Sequence, residues 1–350
     1  MSIGNALVIG GGYSGMTAAI MLRRAGIAVT LIEIDPDWRT YGAGISLNGA
    51  TFRLFAALGI MEAFDKVGAS CDGVHMRAGP QDAIVVQIPT PPMGPGIPGS
   101  GGVMRPVLAR ILADRVRAEG TDVRLGVTFT AVDPDSGQVR FSDGTTGAFD
   151  LIVGADGFAS SVRKALFPDA PTPRYVGQAV WRAVIDRPAD LPTVTMWMGP
   201  RLKAGVNGVS ARQSYLFLTE DRPVNERVPE ETFLPTLRAL LQRFPSPILQ
   251  RIAGQLGPGS AINFRPLENL LMPRPWSTGR VVLIGDAVHA TTPHMAAGAL
   301  LGMEDAVVLA EEVAARPRAE ALAAFEDRRF ERCRLIVENS GRLAEIEVTG

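Results

Sequence analysis

"NALVIGGGYSGMTAAIMLRRAGIAVTLIEID", Asn5 to Asp35, decides the fold. Its first six residues form a short apolar run, as a buried strand would. Tyr13 to Gly26 carries apolar residues at helical spacing and stops at a glycine, and the β-branched run from Ile27 reads as a second strand. Strand, helix and strand in so few residues imply a right-handed parallel crossover, and hence an α/β chain. Gly10, Gly12 and Gly15 stand in G-x-G-x-x-G spacing, with Ser14 between them in the first turn of the helix. Gly10 permits the tight turn after the strand, Gly12 lets a pyrophosphate approach the backbone, and Gly15 lets helix and strand pack closely. The helix start offers unpaired N–H groups and a partial positive charge to the phosphates. Glu33, 18 residues beyond Gly15 at the end of the second strand, is placed to accept from a ribose 2′-hydroxyl. It argues against a 2′-phosphate there. The pattern says dinucleotide without saying which one.

Composition bounds the rest. With 350 residues the chain can bury a large core, in one domain or in two that share one. A hydrophobic content of 46% with 20% charged residues is that of a globular protein. A net charge of −1, with no basic run, gives no basis for nucleic-acid binding. Cys71 and Cys333 form neither a C-x-x-C pair nor a disulfide framework, which fits a reducing cytoplasm. The apolar start lacks a basic flank and is broken by glycines, so no signal segment is expected. No run of about 18 apolar residues occurs, so no membrane span is expected. The 12 Met and 14 Phe against 4 Tyr and 4 Trp favour an oily pocket over a hydrogen-bonding one.

Beyond the opening unit, Arg105 to Gly120 has helical spacing and a glycine stop. "DVRLGVTFTAV", "GQVRFSDG" and "FDLIVGADG" then alternate as strands. Pro89 to Gly102 is a Pro/Gly-rich loop, readable as a mobile linker or as a lid. From Tyr175 to Phe264 longer alternating strands suggest an antiparallel sheet, interrupted by a helix in "TFLPTLRALLQRF". The parallel pattern resumes at "GRVVLIGD", and helices rich in Ala, Glu and Arg follow. No internal repeat is present. The expected architecture is a Rossmann-like α/β domain built from separated segments, with a mainly antiparallel sheet domain inserted.

Two further stretches carry chemistry. "DLIVGADGFASSVRKAL", Asp150 to Leu166, is a buried strand followed by Asp156 and a helix holding Arg163; by composition alone it could be a strand-to-helix turn with a capping aspartate. "VVLIGDAVHATTPHMAAGALLGMEDAVVLAEEV", Val281 to Val313, ends a strand at Asp286, where ligands of open α/β sheets sit and a carboxylate can bond a polyol. The Ala/Gly stretch after it would let a ligand lie against helix amides. A metal site is the rival reading. His289 and His294 are five apart in a loop with no nearby Cys and Asp286 as the one close carboxylate, so no metal is expected and His289 is read as bracing the loop.

In this order, the three motifs resemble the class A flavin-dependent monooxygenases of the para-hydroxybenzoate hydroxylase type. The resemblance covers most of the chain. It implies that Gly10, Gly12, Ser14, Gly15 and Glu33 hold the adenosine end of FAD. It implies that Asp156 and Arg163 in "GADGFASSVR" serve FAD and NAD(P)H together, and that Asp286 in "GDAVHATTPHMAAG" holds the ribityl chain. Pro293, Ala296, Ala297, Gly298 and Ala299 would line the flavin, with Gly44 in "YGAGISLNG" and Arg105 in "MRPVLARIL" as weaker echoes. The implied domains are an FAD-binding domain over 1–70, 101–168 and 275–350, and a substrate domain over 71–100 and 169–274. There are departures. The family has Gly-Gln-Gly where this chain has Ala296-Ala297-Gly298, and alanine serves only where the backbone does not need a positive φ. The chain also looks short at its C-terminal side. A second dinucleotide motif, paired redox cysteines and a halogenase tryptophan motif are all missing from the sequence.

The resemblance further implies that NADH or NADPH, bound without a fold of its own, reduces FAD. The reduced flavin then captures O₂ as a C4a-hydroperoxide, which hydroxylates an aromatic or heteroaromatic hydroxy compound. Such chemistry asks for a helix start aimed at the flavin, exclusion of water, and deprotonation of the substrate. The candidates for the last role are His294, beside the implied ring; Tyr215, on a strand of the substrate domain; and Arg182 in "VWRAVI", which could hold an anion or pair with an acid. Small molecules are the expected partners, for a monomer or homodimer. Three rival readings are a flavin oxidoreductase that does not insert oxygen, a degenerate FAD-binding protein, and a plain NAD dehydrogenase. The last leaves the Asp156 and Asp286 segments unexplained.

Overall fold

The computed structural model describes residues 3–349. Strand β1 (Asn5–Ile9) leads into helix α1 (Tyr13–Arg24) and back through β2 (Ala28–Glu33), as the crossover pattern requires. Three later pieces complete the sheet: β3 (Asp122–Leu125), β4 (Leu151–Gly154), and the pair β5 (Ser277–Thr278) and β6 (Val281–Leu283). The order is β5-β6-β4-β1-β2-β3, parallel except for the β5–β6 pair. β1 therefore lies between β2, its neighbour in sequence, and β4, more than a hundred residues away. Ala6 pairs with Leu151 on one side and Val29 on the other. A strand buried on both faces should read as a continuous apolar run, and Ala6, Leu7 and Val8 have no exposed surface. Met16, Ala18, Ala19, Ile20 and Leu22 of α1 cover one side. Each large side chain so buried stabilises the fold by roughly 1.5–3 kcal/mol.

The chain divides into two compact units. One comprises Met1–Thr40, Ala109–Arg174 and Glu268–Ser340; the other comprises Tyr41–Leu108, Tyr175–Leu267 and Gly341–Gly350. The sequence reading had assigned 41–70 and 101–108 to the nucleotide domain; here they cluster with the second unit. The physical reason is strand pairing. Gly44–Asn48 pairs with Ser100–Met104, which also pairs with Ala69–Cys71, and Asn207 bonds Gly101 and Ser46.

In the second unit, strands Arg174–Asp186, Gln213–Asp221, Leu202–Gly208 and Val194–Gly199 lie side by side, antiparallel. The hairpin Gly73–Ala78 and Ala83–Pro89 extends the sheet, the former parallel to Val194–Gly199. Alternation sends Ala179, Trp181, Ala183 and Ile185 to one face. There they pack with helices Phe233–Gln242 and Pro247–Gln255 in a core that includes Trp197, Leu218, Leu241 and Ile252. The second of these helices escaped the sequence reading, because Ser246-Pro247 opens it directly behind the first. Pro89–Gly102 has no independent course. Its ends belong to strands, Met93 N–H donates to Ile97 O, and a Cβ on Gly99 would meet Thr90 O at 2.0 Å.

One side chain ties hairpin, sheet and helix together. Asp82, in the hairpin turn with φ +49°, accepts from Trp197 Nε1 at 2.7 Å and from Ile248 N at 2.9 Å, all three being buried. Among the described residues no helix is long and apolar enough to cross a membrane. Removing the latch should be costly, because two buried donors lose their acceptor. Asp82→Ala is expected to destabilise the protein by about 3 kcal/mol, read by urea denaturation.

Candidate active site

The carboxyl ends of β1, β2, β4 and β6 share one edge of the first unit, and the three motifs meet there. Gly10 has φ +106°, and a Cβ on it would lie 2.5 Å from Ala155 O, so the first motif needs a glycine to let the second approach. Gly15 is just as confined, since its Cβ would meet Gly10 O at 2.0 Å. Gly12 differs, because a Cβ there would meet nothing within 4 Å. The protein itself does not demand that glycine, whereas a phosphate group lying on the loop would. α1 starts at this point with no side-chain cap and no acidic residue in its first turn. An open cradle beneath uncapped N–H groups fits a pyrophosphate.

Glu33 accepts from Gly11 N at 2.7 Å and from Asp35 N at 2.9 Å. An ionised carboxylate has about four acceptor positions, so capacity remains for a ribose hydroxyl. Trp38, which the sequence reading overlooked, closes the far side of the loop. Its Nε1 donates to Gly11 O at 2.8 Å, and the Arg117 guanidinium lies 4.9 Å from its ring centre. Trp38 has φ +50°, a conformation that no sequence pattern signals.

In the second motif, Asp156 accepts from Ser160 Oγ at 2.5 Å, Ser161 N at 2.6 Å and Val162 N at 3.0 Å, and so caps helix α2 (Ser161–Leu166). Arg163 is buried and donates to Ala287 O at 2.7 Å and Phe158 O at 2.8 Å. The capping alternative noted for this motif thus describes the contacts of Asp156. Arg163 joins the second motif to the third.

The third motif presents one residue outward. From Val281 to Ala290 every residue is buried except Asp286. Gly285, at φ +62°, and Gly302, on helix α3 (Gly298–Ala315), both crowd Ser14: notional Cβ atoms would sit 2.4 and 2.0 Å from its Oγ. Ser14 is the small residue that lets α1, the turn and α3 converge. Beyond the turn, Pro293–Met295 makes one tight coil, and Ala296 follows with φ +49°. The family's glycine position does require the left-handed region here, and alanine occupies it. Ala297 lies at φ −114°, where any residue is at ease, and occupies the N-cap position of α3, which has no side-chain cap, next to Gly298. His294 Nδ1 lies 2.9 Å from Thr292 Oγ1, whose hydroxyl is held by Ser340.

Below the turn is a buried charged cluster. Asp305 on α3 accepts from Gly285 N at 2.8 Å and from Arg329 Nε at 2.7 Å, and lies 2.5 Å from His289 Nε2. Arg329 stands on helix α4 (Arg318–Thr349) and also pairs with Glu304. Cys333 Sγ is 3.9 Å from Asp305. This corrects one element of the sequence reading: a carboxylate and a cysteine do lie beside His289, brought there by helix packing from 16 and 44 positions away. The donor set suits an ion-pair network better than a divalent cation, since a guanidinium and a backbone N–H already take the carboxylate's oxygens. Burial alone would push the His289 imidazolium down, but the Asp305 carboxylate and Cys333 hold it well above its usual range. Burial would likewise raise Asp305, but His289, Arg329 and the Gly285 N–H bring its carboxyl down to about 2.

The second unit holds the remaining candidates. Arg182 Nε donates to Tyr215 Oη at 2.9 Å, as diagonal neighbours on the sheet face away from the helical core. Tyr215 is buried with Ala43 and Val209, against Met104, Val184 and Phe217. A Cβ on Gly44 would meet Tyr215 Cβ at 2.6 Å, so packing alone explains that glycine. Arg105 opens the helix Arg105–Ala118, and its N–H donates to Ala43 O at 3.1 Å.

A glycine turn fit for a pyrophosphate, an exposed carboxylate at a strand end and an uncapped helix start thus share one sheet edge, as a dinucleotide site requires. The family model described as "FAD binding domain" matches residues 4–340, and the chain belongs to that family. It is 35% identical to the aurachin C monooxygenase/isomerase of Stigmatella aurantiaca, over 97% of this chain and 88% of that one. It is 32% identical to the 2-heptyl-3-hydroxy-4(1H)-quinolone synthase of Pseudomonas aeruginosa, over 97% and 90%. The crystal structure of Klebsiella pneumoniae HpxO complexed with FAD and uric acid superposes with a TM-score of 0.87 at 26% identity, covering 99% of this chain and 89% of that one.

Ala296→Gly should be neutral or stabilising by up to ~1 kcal/mol in thermal denaturation. The left-handed conformation costs alanine roughly 1–2 kcal/mol, and glycine's extra chain entropy offsets part of the gain. The Asp305 cluster makes stability depend on pH. The carboxylate's contribution is present above its ordinary value of 3.8 and is lost as pH falls toward 2. The imidazolium's is complete below 6.5 and is lost as pH rises through the raised value of His289. In denaturation series across pH, the wild type should exceed Asp305→Asn by about 3 kcal/mol between about pH 4 and 6.5, and by less at either end.

Proposed function

We propose that this protein is an NAD(P)H-consuming, FAD-dependent monooxygenase that hydroxylates a nitrogen-containing heteroaromatic hydroxy compound. The meeting of three motifs at one sheet edge carries the reading, with Gly12 open beneath an uncapped helix. When bound, FAD supplies the redox chemistry that activates O₂. The chain's own residues bind, orient and move protons. Gly10, Gly12, Ser14 and Gly15 seat the pyrophosphate, Glu33 takes the ribose, and Asp286 takes the ribityl hydroxyls. Pro293 and the amides of Ala296 to Ala299 would line the flavin, and the start of α3 would offer its partial positive charge there. Asp156 and Arg163 brace this edge. Gly44 and Arg105 belong to the unit that supplies the substrate side.

His294 is the proton acceptor for the substrate hydroxyl. Arg182 orients the Tyr215 hydroxyl and offers its other N–H groups to a substrate oxygen. The substrate class draws on the relatives: one is named for a hydroxyquinolone carrying a heptyl chain, and another is complexed with uric acid. The apolar residues around Tyr215 suit such a ring. A cytoplasmic setting accords with the two unpaired cysteines, and the reading takes the protein as a monomer or homodimer. In this reading the unit of 1–40, 109–174 and 268–340 is the FAD domain, and the unit that holds 41–108 and 175–267 is the substrate domain.

The test begins with the visible spectrum of the purified protein, which should show bound flavin. Hydroxyquinolones and other hydroxylated nitrogen heterocycles should stimulate NADH or NADPH oxidation with O₂ uptake and a product heavier by one oxygen. Flavin that NAD(P)H reduces without oxygen insertion would favour a reductase; no flavin at all would sink the reading. His294→Ala should lower kcat by about 10²-fold or more, read by substrate-stimulated NAD(P)H oxidation.

A further inference from the structure

The turn that presents Asp286 is held from beneath by groups that never reach the surface. Asp305 grips it twice, through the Gly285 N–H at one end and the His289 ring at the other. Arg163 holds the carbonyl of Ala287 between those points. Asp305 is itself fixed by Arg329, whose guanidinium also donates to Leu301 O at 3.2 Å. Trp276 packs against the His289 ring, centroids 5.5 Å apart. Asp305, His289 and Trp276 have no exposed surface, and Arg329 has 3%. A charged cluster this deep is an expensive way to hold a surface turn, since apolar packing of the same volume is often as stable. What it provides is direction. Gly285, Ala287 and His289 cannot rotate independently, so the carboxylate of Asp286 is aimed from a turn pinned on both sides.

We propose that Asp305, with His289 and Arg329, is a positioning group for ligand binding: it sets the Asp286 carboxylate against the polyol chain of the flavin and so couples helices α3 and α4 to cofactor affinity. This rests on the flavin reading of the site. Its observable signature is non-additivity, because a group that acts through Asp286 has nothing left to act on once Asp286 is removed.

The experiment measures FAD release from the purified holoprotein by flavin fluorescence on dilution, in a double-mutant cycle. Asp305→Asn should weaken FAD binding about tenfold when Asp286 is present, and less than about twofold in an Asp286→Ala background. Equal loss in both backgrounds would mean a general structural role and would overturn the proposal. His289→Gln, whose amide can still donate to Asp305, should stay within about threefold of the wild type, whereas His289→Ala should not. If Asp305→Asn fails to fold, the same cycle with Arg329→Lys decides by the same criterion. A wild-type protein that binds no FAD when FAD is supplied would overturn the functional reading itself. Normal wild-type binding with an additive cycle would overturn this inference alone.

Discussion

Gly10 lies so close to the backbone of Ala155 that no side chain fits between them, and the site depends on that approach. It follows from β1 pairing on one side with β2 and on the other with β4. Parallel pairing places the carboxyl ends of all these strands on one edge. The loops that leave them must share a small volume, and glycine is what lets backbones come that near. Gly15 against Gly10, and Gly285 and Gly302 against Ser14, repeat the solution nearby. Gly12 is the exception within this motif, for no protein neighbour confines it.

Charge is handled differently on the two sides of that edge. On the ligand side, α1 and α3 begin without capping side chains or acidic first turns, so their amides and partial positive charge face outward. Beneath it, buried charged groups meet partners at close range: Asp305 with Arg329 and His289, and Arg163 with two backbone carbonyls. A site that stabilises negative charge on a ligand works better on a rigid floor, because donors already in place need no reorganisation. The strained Ala296 lies in the same stretch. Backbone held in a sparsely populated region persists only where its surroundings over-determine it, and here a tight coil precedes it and a helix follows.

Much of this was legible in the chain itself. The crossover at Asn5 to Asp35, the glycine spacing, Glu33, and the strand ends at Asp156 and Asp286 are local patterns. Local patterns survive in a sequence because they are set by backbone conformation and side-chain period. The resemblance to flavin-dependent hydroxylases, carried by the same three motifs, matches the family to which the chain belongs. Trp38 left no signal because its left-handed backbone is not encoded in a pattern. The grouping of Tyr41–Leu108 with the second unit was also hidden, because it depends on which strands pair across long separations.

By itself, then, the sequence determined the α/β class, the dinucleotide cradle and the residues exposed at the strand ends. Tertiary structure alone decided what those residues rest on. Asp305 and Cys333 lie far from His289 along the chain, and only the packing of α3 and α4 brings them against its ring. Whether the position of Ala296 needs a left-handed backbone was likewise open until the coil before α3 was seen. The reason is the same in each case: contacts across long separations are chosen by how whole elements pack, and no window of neighbouring residues contains that information.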